Sequence, residues 1–276
     1  MKSILCFLTI VPFLLSGNGI EDAKIYHANS ALQWHIAMDT ISLITLLDSD
    51  HILDIGCGDG KITAYLAKNT PNGSVLGIDI SKAMIDFATA HYPKTVYSNL
   101  TFTQEDAAEI AFENQFDKIL SFSTLHWVMD QEKALKAIYR ALVPGGKICL
   151  QTYGKGNMHV TELADRLVQT AKWKPYFPAY SMQRVFFSEQ EYQALCEKAG
   201  FMDIKINGAW TITPFANQQA LSDFVTPLLN FIKHLVEEMQ QEFIKELVDQ
   251  IVAIATKGQD GTIYYQTYNL SVTATK

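Results

Sequence analysis

Residues 53–60 read Leu-Asp-Ile-Gly-Cys-Gly-Asp-Gly, three alternating glycines set between an apolar run and a helical pattern. This order severely limits what the chain can build. A strand turns this tightly into a helix only through positive φ, which glycine adopts without a Cβ penalty. Such a turn brings backbone N–H groups at a helix N-terminus against a ligand. A second apolar run, 75–78, ends on Asp79, 19 residues beyond Gly60. A carboxylate at the tip of a second strand is placed to accept hydrogen bonds from ribose hydroxyls.

The dinucleotide fingerprint G-x-G-x-x-G would need glycine at 61, where this chain has Lys61. It also has no acid directly ahead of the loop, whereas Asp54 stands there. That carboxylate serves to orient the loop, to meet a cationic ligand group, or to cap the turn.

Around the loop the pattern alternates. Helical spacing of apolar residues covers 29–47, and strands are expected at 51–55, 75–79, 100–104, 116–122 and 147–153. Helices fall between them at 61–69, 82–90 (capped by Ser81) and 130–142. Alternation of this kind implies a parallel sheet with helices on both faces. Further on, helices at 161–170 and 188–199 and a strand at 202–206 precede a strongly helical stretch over 217–256, and 262–275 is β-like. Between the first two helices, Trp173, Tyr176, Phe177, Tyr180, Phe186 and Phe187 crowd one loop.

Whole-chain properties narrow the partners. A net charge of −7 without a Lys/Arg cluster argues against nucleic acid, whose phosphates need a basic surface. Cys6, Cys57, Cys149 and Cys196 match no zinc spacing, nor do the seven histidines, so no metal is expected. One basic residue, Lys2, an apolar run over 4–15 and then Ser16-Gly17-Asn18-Gly19 read as a signal peptide or a hydrophobic N-terminal arm over 1–19. That run is short for a membrane span, and membrane contact through 4–15 is the alternative to export.

The D-x-G-x-G-x-G pattern at 54–60 with Asp79 resembles motif I and the following acidic position of class I S-adenosylmethionine (SAM)-dependent methyltransferases. Gln104-Glu105-Asp106-Ala107 is similar to the family's third-strand segment, 116–122 to its fourth strand, and Leu142-Val143-Pro144-Gly145-Gly146-Lys147 to the turn before its fifth. The resemblance implies a Rossmann-like α/β fold. Its seven-stranded, mostly parallel sheet has an antiparallel last strand and carries a helical lid. Residues 20–276 would form a single domain, with the SAM-binding core at 48–153 and the lid and acceptor pocket at 154–261. It also implies SAM contacts at Asp54, Gly56, Cys57 and Gly58 in the loop, at Asp79 on the ribose with Ile80 next to it, at Asp106 and Ala107 on the adenine, and at Ser121 and Phe122 beside the methionine part. Because SAM is made in the cytosol, this donor conflicts with an export signal.

Tyr26-x-x-x-Ser30-x-x-Gln33 together with Leu125-His126-Trp127-Val128 resembles the subgroup that methylates carboxylic acids, which includes trans-aconitate, juvenile hormone acid and malonyl-carrier-protein methyltransferases. That resemblance implies that Gln33 and Trp127 hold the acceptor carboxylate. The chemistry is compatible: a carboxylate is already ionised at neutral pH and needs alignment rather than a base. His126 would be required as general base for a hydroxyl, amine or carbon acceptor. The third reading is a SAM-binding regulator or secreted interaction protein without catalysis. The aromatic loop and the helices from 217 onward would line the acceptor pocket and favour an apolar tail, with packing of the lid on the core as the alternative account of the same residues.

Overall fold

The computed structural model describes residues 23–156, 159–181 and 184–276. The leader over 1–19 and the apolar run over 4–15 lie outside the described residues. Among these, no helix is long and apolar enough to cross a membrane.

The sheet is built as the alternation requires. Strands β1 (His51–Ile55), β2 (Ser74–Asp79), β3 (Leu100–Gln104), β4 (Phe116–Phe122) and β5 (Leu142–Tyr153) are parallel, in the order β3-β2-β1-β4-β5. Beyond β5 comes β8 (Ile263–Thr275), antiparallel, and then β6 (Met202–Phe215) at the edge. The two-residue β7 (Thr256–Lys257) adds an eighth strand on β8. Residues 52–55 of β1 are buried, as a central parallel strand covered by helices on both faces must be.

Two helical layers cover the sheet. On one face α5 (Gln131–Ala141) and α7 (Glu189–Ala199) pack Leu135, Ile138, Tyr192 and Cys196 against Ile119, Ile148 and Val272. On the other, α2 (Ala31–Ile41) and α3 (Lys61–Asn69) pack Ala37, Ile41, Ala64 and Leu66 against Ile52, Leu120 and Cys149. Helix α4 (Lys82–His91) starts on Ser81, whose hydroxyl accepts from the Met84 N–H. A separate apolar cluster joins α6 (Val160–Val168), α8 (Gln218–Val225) and α9 (Glu237–Ile254) into the lid.

Three expected elements differ in extent. The helix expected over 29–47 is shortened to α2, preceded by a separate α1 (Ala23–Asn29), and the chain leaves helix after Ile41. At the split, the Ser30 hydroxyl bonds the His27 carbonyl and Asp59, taking the side chain into local capping. The stretch over 217–256 breaks after α8, where Pro227 lacks the N–H that a continuing helix needs. The strand expected at 202–206 runs on to Phe215, its Pro214 tolerated because β6 is an edge. Gly208 lets it pass Tyr268, whose hydroxyl would lie 2.0 Å from a Cβ there.

At the amino end of the strands, away from the glycine loop, Lys118 of β4 pairs with Asp50 at 2.5 Å, both side chains under 10% exposed. Replacing Lys118 by Met leaves a buried carboxylate without its cation and should cost about 3 kcal/mol in urea unfolding. Adding Asp50→Leu should recover most of that loss.

Candidate functional site

The carboxyl ends of β1, β2, β3 and β4 converge, as open α/β sheets require of a ligand crevice. Gly56, Gly58 and Gly60 adopt φ of 75°, 51° and 80°. At Gly56 an added Cβ would lie 2.1 Å from the Thr124 hydroxyl, so the loop passes directly under the turn after β4.

The loop does not offer the bare N–H groups that its sequence suggests. The Gly56 and Cys57 N–H groups both donate to the Ile78 carbonyl, at 2.7 and 2.9 Å, and the Gly60 N–H to the Cys57 carbonyl. The Gly58 N–H donates to Asp79 Oδ2 at 3.0 Å. These donors are spent holding the loop to β2, so the loop is not arranged as a phosphate nest. What glycine provides here is close approach.

Asp79 accepts a second N–H, from Ser81, on its other oxygen at 2.8 Å. Burial raises its carboxyl above the ordinary range, and the two N–H donors oppose that rise. Asp54 is buried, accepts the Thr63 hydroxyl at 2.7 Å, and has its pKa raised by burial from 3.8 to about 7. Of its suggested roles, it performs the orienting one, fixing the first turn of α3 beneath the loop. Cys57 is buried, and desolvation pushes its thiol well up.

Ile80 is 41% exposed beside Asp79, and its carbonyl accepts from the Gln104 side chain at 2.9 Å, joining the tips of β2 and β3. Asp106 is exposed and accepts the Ala108 N–H, and Ala107 is buried behind it. The Ser121 hydroxyl donates to the Ile55 carbonyl at 2.9 Å, so it serves the β1–β4 seam, and Phe122 is buried beside it.

Helix α1 closes one side of the crevice. The Tyr26 ring lies 3.5 Å from where a Gly58 Cβ would be. His27 Nδ1 sits 2.7 Å from Asp59 Oδ2, and its ring packs on Phe87 and His91. Gln33 is buried on α2 with Oε1 unpartnered, and it makes no hydrogen bond to Trp127 or His126.

After β4, Ser123 takes φ of 52° and the chain makes a short turn carrying His126 and Trp127. Gln151 Oε1 accepts both the N–H and the hydroxyl of Ser123, at 2.8 and 2.9 Å. The Gln151 amide donates in turn to Asn269 Oδ1 at 2.7 Å, and Asn269 donates to Thr211 and Thr267. A polar chain therefore runs beneath the site from β4 to β6.

His126 is buried, with Nδ1 unpartnered, stacks with Phe186 and meets Tyr153 edge to face. Burial, with nearby His159 and Arg184, holds its imidazole well below 6.5. His159 is likewise lowered, to about 3, by burial and then Arg184, so both rings are neutral. The Arg184 guanidinium lies 4.1 Å over the Trp127 ring. Arg184, His159, Tyr153 and Gln151 have no signal in local sequence. Only Arg184 could have drawn notice, as one of three arginines, set among the loop aromatics.

Most of those aromatics do not face the crevice. Trp173 is fully buried against Phe243, with its indole N–H on Glu246, and Phe177 packs on Phe231 and Phe243. Tyr176 is 47% exposed, so it is chiefly Phe186 that reaches the turn.

A methyltransferase-domain family pattern matches residues 46–200. The chain is 29% identical over 180 residues to malonyl-[acyl-carrier protein] O-methyltransferase of Priestia megaterium, covering 64% of each chain. It is 26% identical over 216 residues to juvenile hormone acid O-methyltransferase of Bombyx mori, covering 73% of this chain and 74% of that one. Among solved structures, Haemonchus contortus phosphoethanolamine N-methyltransferase 2, in complex with phosphomonomethylethanolamine and S-adenosylhomocysteine, superposes with a TM-score of 0.61 at 20% identity. The match covers 92% of this chain and 57% of that one, and it establishes the shared fold.

Asp54 retains its proton when folded up to about pH 7, whereas the unfolded chain releases it near 3.8. Stability contributed at this site therefore falls as pH rises between those values. Asp54→Asn removes that dependence. Its melting temperature relative to wild type should climb between about pH 4 and about pH 7 and level off above that, read by scans at several pH values.

Proposed function

The chain belongs to the methyltransferase-domain family and is a SAM-dependent methyltransferase, and from that premise we propose that it methylates a carboxylate oxygen of a small acid. The observation that carries this reading is the state of His126, a buried and neutral imidazole in the turn that faces the crevice. A base held so far below its ordinary range is poorly matched to deprotonating an amine or hydroxyl at neutral pH. A carboxylate needs no such step. The names of the relatives agree: one acts on juvenile hormone acid, the other on a malonyl thioester, whose free oxygen nucleophile is a carboxylate.

The donor supplies a methyl group on a sulfonium, which the acceptor attacks in line. The residues at the strand tips fit such a ligand. It carries no phosphate, and the loop has no free N–H nest. It carries a ribose diol, and Asp79 keeps lone pairs beyond those taken by Gly58 and Ser81. In this reading Asp54, Gly56, Cys57 and Gly58 shape the loop around the donor, Ile80, Asp106 and Ala107 flank the adenine, and Ser121 and Phe122 back the methionine part. Gln33 and the Trp127 indole N–H, neither hydrogen-bonded to the other, position the acceptor carboxylate and exclude water from it.

Incubating the chain with methyl-labelled SAM and a pool of small and fatty acids, then adding alkali, should release label as volatile methanol. An alkali-stable product would move the acceptor to nitrogen, carbon or a hydroxyl. Asp79→Ala should weaken SAM binding by about 1.5–3 kcal/mol by calorimetry. His126→Gln should lower turnover by less than about tenfold, where loss of a general base costs roughly a hundredfold or more.

A further inference from the structure

Arg184 is 3% exposed, and its neighbourhood holds more polar atoms than it satisfies. The other buried cation, Lys118, has a close partner in Asp50. Among the described residues, the Arg184 ion pair is to Asp165 Oδ1, at 3.3 Å, and that oxygen is shared with the Tyr180 hydroxyl. Arg184 Nε, Asp165 Oδ2 and His126 Nδ1 are all buried without a partner. A buried polar group left unpaired keeps its full desolvation cost. A ligand that satisfies them recovers that cost.

The location is the acceptor side of the crevice. The guanidinium covers the Trp127 ring, and the Val185 N–H donates to the His126 carbonyl, pinning Arg184 beside the turn after β4. We propose that Arg184 binds a second acidic group on the acceptor, so that the preferred substrate is a short dicarboxylic acid rather than a fatty monoacid. This rests on the carboxyl-acceptor reading and narrows it.

The chemistry is consistent at each position. A guanidinium presents a planar fork that matches a carboxylate, and a buried one gains most from it. Asp165 competes for the Arg184 charge, and burial raises its carboxyl above the ordinary range while Arg184 and the Tyr180 hydroxyl oppose that rise. His126 and His159 are neutral and add no competing charge. The loop aromatics that suggested an apolar tail are largely committed to the lid core.

The test compares methyl transfer to hexanoate and to hexanedioate, equal in length, by the wild-type chain. The diacid should be preferred by about tenfold or more in kcat/KM, the scale of one charge-assisted contact. In Arg184→Gln the ratio should fall to within about twofold, chiefly through KM for the diacid, and Arg184→Lys should restore part of it. Asp165→Asn, which leaves the cation in place, should lower KM for the diacid, and this holds as a test if Arg184→Gln fails to fold. A wild-type ratio near one overturns the proposal. So does a ratio that Arg184→Gln leaves unmoved while both rates fall, the mark of a structural residue. If SAM binds and neither acid is methylated, the carboxyl reading itself fails and takes this one with it.

Discussion

The β1–β2 junction holds the site together through two adjacent acceptors, the Ile78 carbonyl and the Asp79 carboxylate. Between them they take the N–H groups of Gly56, Cys57, Gly58 and Ser81. The glycine loop is thereby fixed to the neighbouring strand, α3 starts where Asp54 and Thr63 place it, and the turn after β4 rests on Gly56. An N–H buried in such a loop must be paired somewhere. Here it is paired within the protein, which leaves a smooth, closely approachable floor in place of an anion nest.

The candidate donor-side residues could be brought together from sequence because they lie in short segments at strand ends. Each of Asp54, Gly56, Gly58, Asp79 and Asp106 sits within three residues of a strand terminus, and parallel pairing brings those termini together without further information. Strand identities from β1 to β4 followed for the same reason: buried parallel strands are short apolar runs bounded by turns. The error about the loop N–H groups was one of hydrogen-bond partners, which sequence does not specify.

The acceptor half was not legible in the same way. His126, Gln151 and Arg184 come from separate segments, and His159 and Asp165 from α6 and its cap, so no single periodicity relates the five. Their association depends on the chain crossing back over the turn after β4, where Val185 binds the His126 carbonyl and Phe187 pairs with Gly154. The aromatic loop had two readings, and the structure favours packing. Its composition suggested a pocket wall, yet Trp173 and Phe177 fill the lid's own core, which needs large side chains to hold α6, α8 and α9 together. Composition alone does not separate an aromatic that lines a cavity from one that fills a core.

The polar chain beneath the site has a further property. Gln151 and Asn269 are amides with one accepting and one donating end, and each end is committed: Ser123 to the Gln151 oxygen, the Gln151 nitrogen to Asn269, and the Asn269 nitrogen to the threonines. The line of bonds therefore has a fixed polarity, and neither amide can rotate unless the other does. Chemical ageing is its weak point. Loss of ammonia from Gln151 would turn its nitrogen into an oxygen facing the Asn269 oxygen, setting acceptor against acceptor under Ser123.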